Sequence, residues 1–203
     1  MEQKYSDFYS FGGALVCTTF TALPEKFIQL RSNKELDKAN ELVDSLAYGE
    51  YDDIHPLIWK QDCNYGNKLR DVLYCSTSLY LISDRFKSIL NESGLTGWKS
   101  YPILLYDKKG SRIDGYNGFS ITGRAGNMHK FDTPPIELGY SPKSTGYYFE
   151  FDALDGSDIF RVFPHHIIIT KRFAEVLLSH KVSGIDIDRL TDYGDWSKTK
   201  RIL

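Results

Sequence analysis

Three carboxylates fall within seven residues at Asp152, Asp155 and Asp158, and hard cations such as calcium bind clustered oxygen ligands. The spacing argues against that chemistry. A calcium loop opening at Asp152 would need oxygen ligands at Leu154 and Gly156 and a glutamate where Phe163 stands. A strand-ending turn with solvated acids is the expected role of this segment. His165 and His166 are adjacent, so on a strand they point to opposite faces and do not readily share one ion. Cys17, Cys63 and Cys75 form no CxxC pair and lie in no nucleophile motif, which predicts small buried side chains in a reducing cytoplasm. No G-x-S-x-G elbow is present. The glycine pairs 115/118 and 123/126 lack the strand-to-helix cradle of a phosphate site and read as turns. These observations predict no catalytic residue, no cofactor and no metal. An enzyme built around Arg124, His129 and Asp132, with a carboxylate/His site in the 110–160 region, stays open as the alternative, because acid-base pairs assembled in space leave no local pattern.

The elements that would position such groups are clearest in an internal repeat. Residues 79–97 align without gaps on 166–184 at an offset of 87, with Ile82, Arg85, Phe86, Leu90 and Gly97 identical to Ile169, Arg172, Phe173, Leu177 and Gly184. Each copy reads as a strand, an N-cap hydroxyl at Ser83 or Thr170, an amphipathic helix of about three turns, and an exit ending in glycine. Arg85 and Arg172 sit in the first turn, where a cation is unfavourable to the helix dipole, so each is expected to pair with a carboxylate or carbonyl. Gly94 suits a left-handed helix end, whereas Lys181 at the matching position predicts a different ending.

Elsewhere the pattern predicts a strand over 14–20, and a helix over 32–46 opened by the capping box of Ser32 and Glu35. Residues 47–56 read as a loop followed by a buried Trp59, and the segment 68–75 separates neither helix from strand. Hairpin dipeptides stand at Asp114-Gly115 and Asn117-Gly118, irregular stretches at 123–129 and 133–135, an alternating strand at 147–151, and a tail prone to fraying from Asp186. The fold class expected is α+β, with a mixed, largely antiparallel sheet and a few packed helices. It forms a single domain over 1–203, or two pseudo-repeated halves of about 1–110 and 111–203 sharing one core.

With 25 Lys plus Arg against 27 Asp plus Glu, the net charge of -2 gives no basic excess for nucleic acid. Hydrophobic content of 41% beside 26% charged is that of a folded globular chain. No apolar run has the length of a signal peptide or a membrane span, so neither secretion nor a membrane is expected.

The segments 155–161, 167–173 and 182–184, with Ser83 to Phe86 and Gly94 to Gly97, resemble a bacterial family catalogued as DUF1629 and assigned as immunity proteins of polymorphic toxin systems. The resemblance covers mainly the C-terminal half. It implies a cytoplasmic protein that binds one cognate toxin domain and blocks it, and it implies no catalytic residue. For such a binder, aromatic residues beside acids are the candidate contacts: Tyr48, Tyr51, Asp52 and Asp53 in one loop, and Asp192, Tyr193, Asp195 and Trp196 in the tail.

Overall fold

The computed structural model describes residues 5–14, 17–51, 55–75, 79–130, 146–163, 166–192 and 200–202. Its strands are β1 (Phe8–Gly13), β2 (Ala22–Pro24), β3 (Leu57–Gln61), β4 (Val72–Cys75), β5 (Leu79–Ser83), β6 (Trp98–Tyr101), β7 (Ile103–Tyr106), β8 (Arg112–Ile113), β9 (Tyr116–Ile121), β10 (Gly123–Lys130), β11 (Tyr147–Phe149), β12 (Ile159–Phe163), β13 (His166–Thr170), β14 (Ile185–Arg189) and β15 (Lys200–Ile202). Its helices are α1 (Glu25–Ser32), α2 (Leu36–Tyr48), α3 (Asp84–Glu92) and α4 (Lys171–Ser179). The strands form a seven-stranded sheet ordered β11-β10-β12-β13-β1-β14-β15 and two four-stranded sheets, β2-β3-β7-β8 and β4-β5-β9-β6. Most pairings are antiparallel; β10 with β12 and β3 with β7 are parallel. The class is α+β with sheets predominating.

The repeated segments adopt the same structure. Ser83 Oγ accepts from Phe86 N at 3.1 Å and Thr170 Oγ1 from Phe173 N at 3.3 Å, so each hydroxyl caps its helix. Phe86, Ile89 and Leu90 of α3 meet Phe173, Ala174 and Leu177 of α4 in one buried cluster. The correspondence extends to strand order. β4-β5-β9-β6 matches β12-β13-β1-β14, and Val72↔Ile82 in one pair corresponds to Ile159↔Ile169 in the other. β9 follows its unit in sequence, while the equivalent β1 comes from the N-terminus, so the second unit is closed by the first strand of the chain.

Reciprocal clamps join the two units. The Asp71 carboxylate accepts from Ser83 Oγ at 3.0 Å, Arg85 Nη1 at 2.7 Å, and Ser183 N and Oγ at 2.9 and 3.0 Å. Asp158, 87 residues on, accepts from Thr170 Oγ1 at 3.1 Å, Arg172 Nη1 at 3.2 Å, and Thr96 N and Oγ1 at 3.1 and 3.2 Å. Each aspartate thus holds its own helix start and the helix exit of the other unit. Arg85 Nη2 also donates to His180 O, and Arg172 Nη2 to Ser93 O, which gives both first-turn arginines the carboxylate and carbonyl partners expected.

Several expectations change. The N-terminal strand is Phe8–Gly13, while 17–20, the described end of the stretch 14–20, carries one bridge, Thr19 to Lys68; a Cβ on Gly13 would lie 2.1 Å from Tyr74 Cβ, so the glycines lie within the strand and permit a close approach. No capping box forms at Ser32. It ends α1 and donates to Ile28 O, and a new helix starts at Leu36 after Lys34 turns left-handed at φ 62. Lys181, at φ 50, ends α4 in the left-handed conformation that Gly94 adopts at φ 60, because the shared clamp geometry requires it. Asn117, Gly118, Gly123 and Gly126 lie inside β9 and β10 rather than in turns; a Cβ on Gly118 would strike the Tyr101 ring at 2.0 Å. Asp158 is buried in its clamp rather than solvated. Cys17 and Cys63 are exposed, and only Cys75 is buried, at the end of β4. The segment 68–75 resolves as a strand from Val72, Trp59 is fully buried on β3, and residues 200–202 pair with β14. Residues 133–135 and His165 lie outside the described residues.

Candidate functional site

Tyr48 closes α2, whose buried stripe of Ala39, Leu42, Leu46 and Ala47 fixes the helix against the protein, and Gly49 at φ 75 turns the chain away. Two guanidinium groups lie over the Tyr48 ring, with Arg124 Cζ at 4.5 Å and Arg161 Cζ at 5.2 Å from its centroid. Arg124, on β10, donates through Nη1 to Ile121 O at 2.8 Å and Gly123 O at 2.9 Å, and through Nη2 to Tyr48 O at 3.3 Å. Its charge therefore sits at the C-terminal end of α2, where the helix dipole favours a cation. The Arg124 backbone N–H is held by Asp155 at 2.8 Å. Burial alone would raise the Asp155 pKa, but hydrogen bonds from Ser157 and from Arg124 N outweigh it and hold the carboxyl below its ordinary value.

Arg161 on β12 is 8% exposed, and its Nε and Nη2 have no hydrogen-bond partner among the described residues. Burial pulls its pKa down, while Tyr80, Tyr48 and Asp44 act against that shift. An arginine so placed keeps its charge and holds it against aromatic faces. The aliphatic stem of Lys99, on β6, borders the same corner, since a Cβ on Gly49 would lie 3.5 Å from Lys99 Cδ. The corner thus gathers a half-buried tyrosine, the guanidinium groups of Arg124 and Arg161 over its ring, and the stem of the exposed Lys99. Chemically it can attract carboxylates.

Among the residues expected from sequence, Tyr48 and Tyr51 belong to this end of the molecule. Tyr51 is half-buried, 6.1 Å from the Tyr101 ring. Asp52, Asp53, Tyr193, Asp195 and Trp196 lie outside the described residues. Asp192 is half-buried beside a separate hollow of about 150 Å³ between α4 and β14, bordered by Glu175 and Arg189. Of the residues proposed for an enzyme, Arg124 joins Tyr48, while His129 stacks on Tyr148 at 5.1 Å and faces Glu150 Oε1 at 3.6 Å; Asp132 lies outside the described residues. Arg161 and Lys99 escaped sequence reasoning. The signal for Arg161 was a charge inside the apolar run Ile159–Phe163, which a strand buries.

A larger open hollow of about 690 Å³ lies over β3 and the β7–β8 turn. Part of its polar lining is already engaged. Lys60 pairs with Glu25 at 2.5 Å, Asp107 accepts from the backbone of Lys109 and Ser111, and Gln61 bonds Gly66 O, Asn67 Oδ1 and Lys108 N. Ile58, Tyr106 and the lysine rim remain for contact. Among the described residues no three His, Cys, Asp or Glu side chains are grouped to hold a metal ion, and no helix is long and apolar enough to cross a membrane. No protein-family model and no curated protein matches this chain.

Proposed function

We propose that this protein is an immunity-type inhibitor, which binds a cognate toxin domain stoichiometrically in the cytoplasm and neutralises it by covering its surface without turnover. The observation that carries the reading is Tyr48, a half-exposed aromatic packed against the guanidinium groups of Arg124 and Arg161. Aromatic anchors ordered before binding lose little entropy on association and dominate interface energetics. The motifs that resemble the immunity family support it from another side. Arg85, Arg172, Ser83, Thr170 and the Thr96 and Ser183 exits build the clamps, so the resemblance is one of scaffold, on which a contact surface is mounted.

The test is co-expression with candidate toxin domains drawn from the genes neighbouring this one, followed by titration calorimetry on the purified pair. A one-to-one complex that restores growth is expected, and Tyr48→Ala should weaken it by about 2 kcal/mol or more if the ring is a central anchor. Failure to associate at micromolar concentration, or turnover of a substrate by the isolated protein, overturns the reading.

A further inference from the structure

The two units match strand for strand, yet their outer edges differ. β14 carries β15 on its outer side, with Ile185↔Ile202, Asp186↔Arg201 and Ile187↔Lys200 paired. The equivalent strand, β6, pairs with β9 alone among the described residues. Thr122 N donates to Gly97 O at 2.8 Å, which sets the phase of the ladder: Lys99 and Tyr101 turn their backbone groups to β9, and Trp98 and Ser100 turn theirs outward. Ala14 N donates to Gly184 O at 3.0 Å, which places Ile185 and Ile187 in the same outward phase, and β15 occupies that edge.

We propose that the edge of β6 is a docking site for an extended segment of the protein partner, added antiparallel at the position that β15 fills on β14; this rests on the binding function proposed above. Charge selects the occupant. On β6 the central position is the exposed Lys99, so the matching strand carries an acid there. The same charge disfavours a second copy of this chain. Antiparallel pairing of two β6 edges through Trp98 and Ser100 sets Lys99 directly opposite its own copy, and like charges in that arrangement repel. The Arg124–Tyr48 corner adjoins Lys99 across Gly49 and extends the attraction for carboxylates beyond the strand.

Two blocked peptides, Thr-Ile-Glu-Ile-Thr and Thr-Ile-Lys-Ile-Thr, test this without the toxin, with backbone amide shifts and amide exchange as readouts. The glutamate peptide should shift the amides of 98–101 saturably, slow exchange at Trp98 and Ser100, and bind about three-fold more tightly than the lysine peptide. Lys99→Glu should invert that preference. Ser100→Pro removes an outward N–H without touching the β9 ladder and should abolish binding while the core resonances persist. The proposal is overturned if shifts are absent or centred elsewhere, if the free protein already protects Trp98 and Ser100 from exchange, or if the chain self-associates through this edge. A toxin that does not bind would sink the inhibitor reading and leave the peptide result standing, whereas a toxin complex in which Trp98 and Ser100 still exchange freely would do the reverse.

Discussion

Replacing Asp71 with alanine should separate the parts of the clamp by size. The carboxylate is 13% exposed and accepts four hydrogen bonds. Its ion pair with Arg85 is the weakest part, because that side chain is 52% exposed and water screens it, leaving at most about 1 kcal/mol. Ser83 Oγ keeps its capping role toward Phe86 N, and hydroxyls can rotate to other acceptors. Ser183 N cannot. Stranding a half-buried backbone donor costs about 1–3 kcal/mol, so the sum is about 3 kcal/mol, or a fall in Tm of about 6–12 °C for a chain of this size. Asp71→Asn retains an acceptor oxygen for Ser183 and should cost about 1 kcal/mol.

Acid dependence gives a second signature. Burial tends to raise the Asp71 pKa, but the Ser183 N–H, Arg85, Ser83 and Ser183 hydroxyl bonds prevail and hold it below the ordinary value. A carboxylate lowered on folding stabilises the folded state above its unfolded pKa, about 3.9, and loses that contribution as pH falls through the lower folded value. Urea unfolding between pH 7 and pH 2 should therefore show a shallower acid limb for Asp71→Asn than for the wild type; Asp155 and Glu150, also lowered, keep part of the slope. An alanine variant within about 0.5 kcal/mol of wild type, or an asparagine variant with an unchanged acid limb, would refute the clamp as a stabilising device.

Phe86 and Phe173 are fully buried, so Phe86→Ala and Phe173→Ala should each cost about 3–5 kcal/mol in denaturant melts. Lys181→Gly relieves a left-handed lysine and should raise stability by about 0.5–1 kcal/mol, while Gly94→Lys lowers it by a similar amount, both read as shifts in urea midpoint. Gly97→Ala should prevent folding, as circular dichroism would show, because φ is +91° and the added methyl would lie 2.1 Å from Ile159 O. Thermal melts with and without a chelator should coincide, since among the described residues no three His, Cys, Asp or Glu side chains are grouped to hold an ion.

The strand-helix units were legible because their signals are local: a hydroxyl at the cap, an apolar stripe at helical spacing, a glycine at the exit. Failures came where tertiary contact set the backbone. Gly13, Gly118 and Gly123 read as punctuation in sequence, yet each lies on a strand where Tyr74, the Tyr101 ring or Ile159 O leaves no room for a side chain. Lys181 takes a conformation that its type disfavours because the Asp71–Ser183 clamp and the Arg85–His180 bond close around that exit. The 87-residue repeat also reaches Asp71 and Asp158, beyond the aligned window, where one matching acid carries no statistical weight until its four donors are seen.

The candidate site was half legible for a related reason. Tyr48 and Arg124 stood out singly, one as an aromatic beside acids and the other as a basic residue among glycines, and sequence assigned them to rival functions. Their meeting depends on α2 ending against β10, a contact between segments 76 residues apart. The side chains that signal the repeat, Ile82, Arg85, Phe86 and Leu90 with their counterparts, point into the clamps or the shared core, where side-chain type is dictated by packing. The proposed contacts lie instead on a helix end and a sheet edge, where backbone direction and neighbouring charge set the chemistry and residue type alone says little. The scaffold is thus declared by local sequence, whereas the proposed docking edge rests on the outward-facing backbone of Trp98 and Ser100, which no motif of the sequence marks.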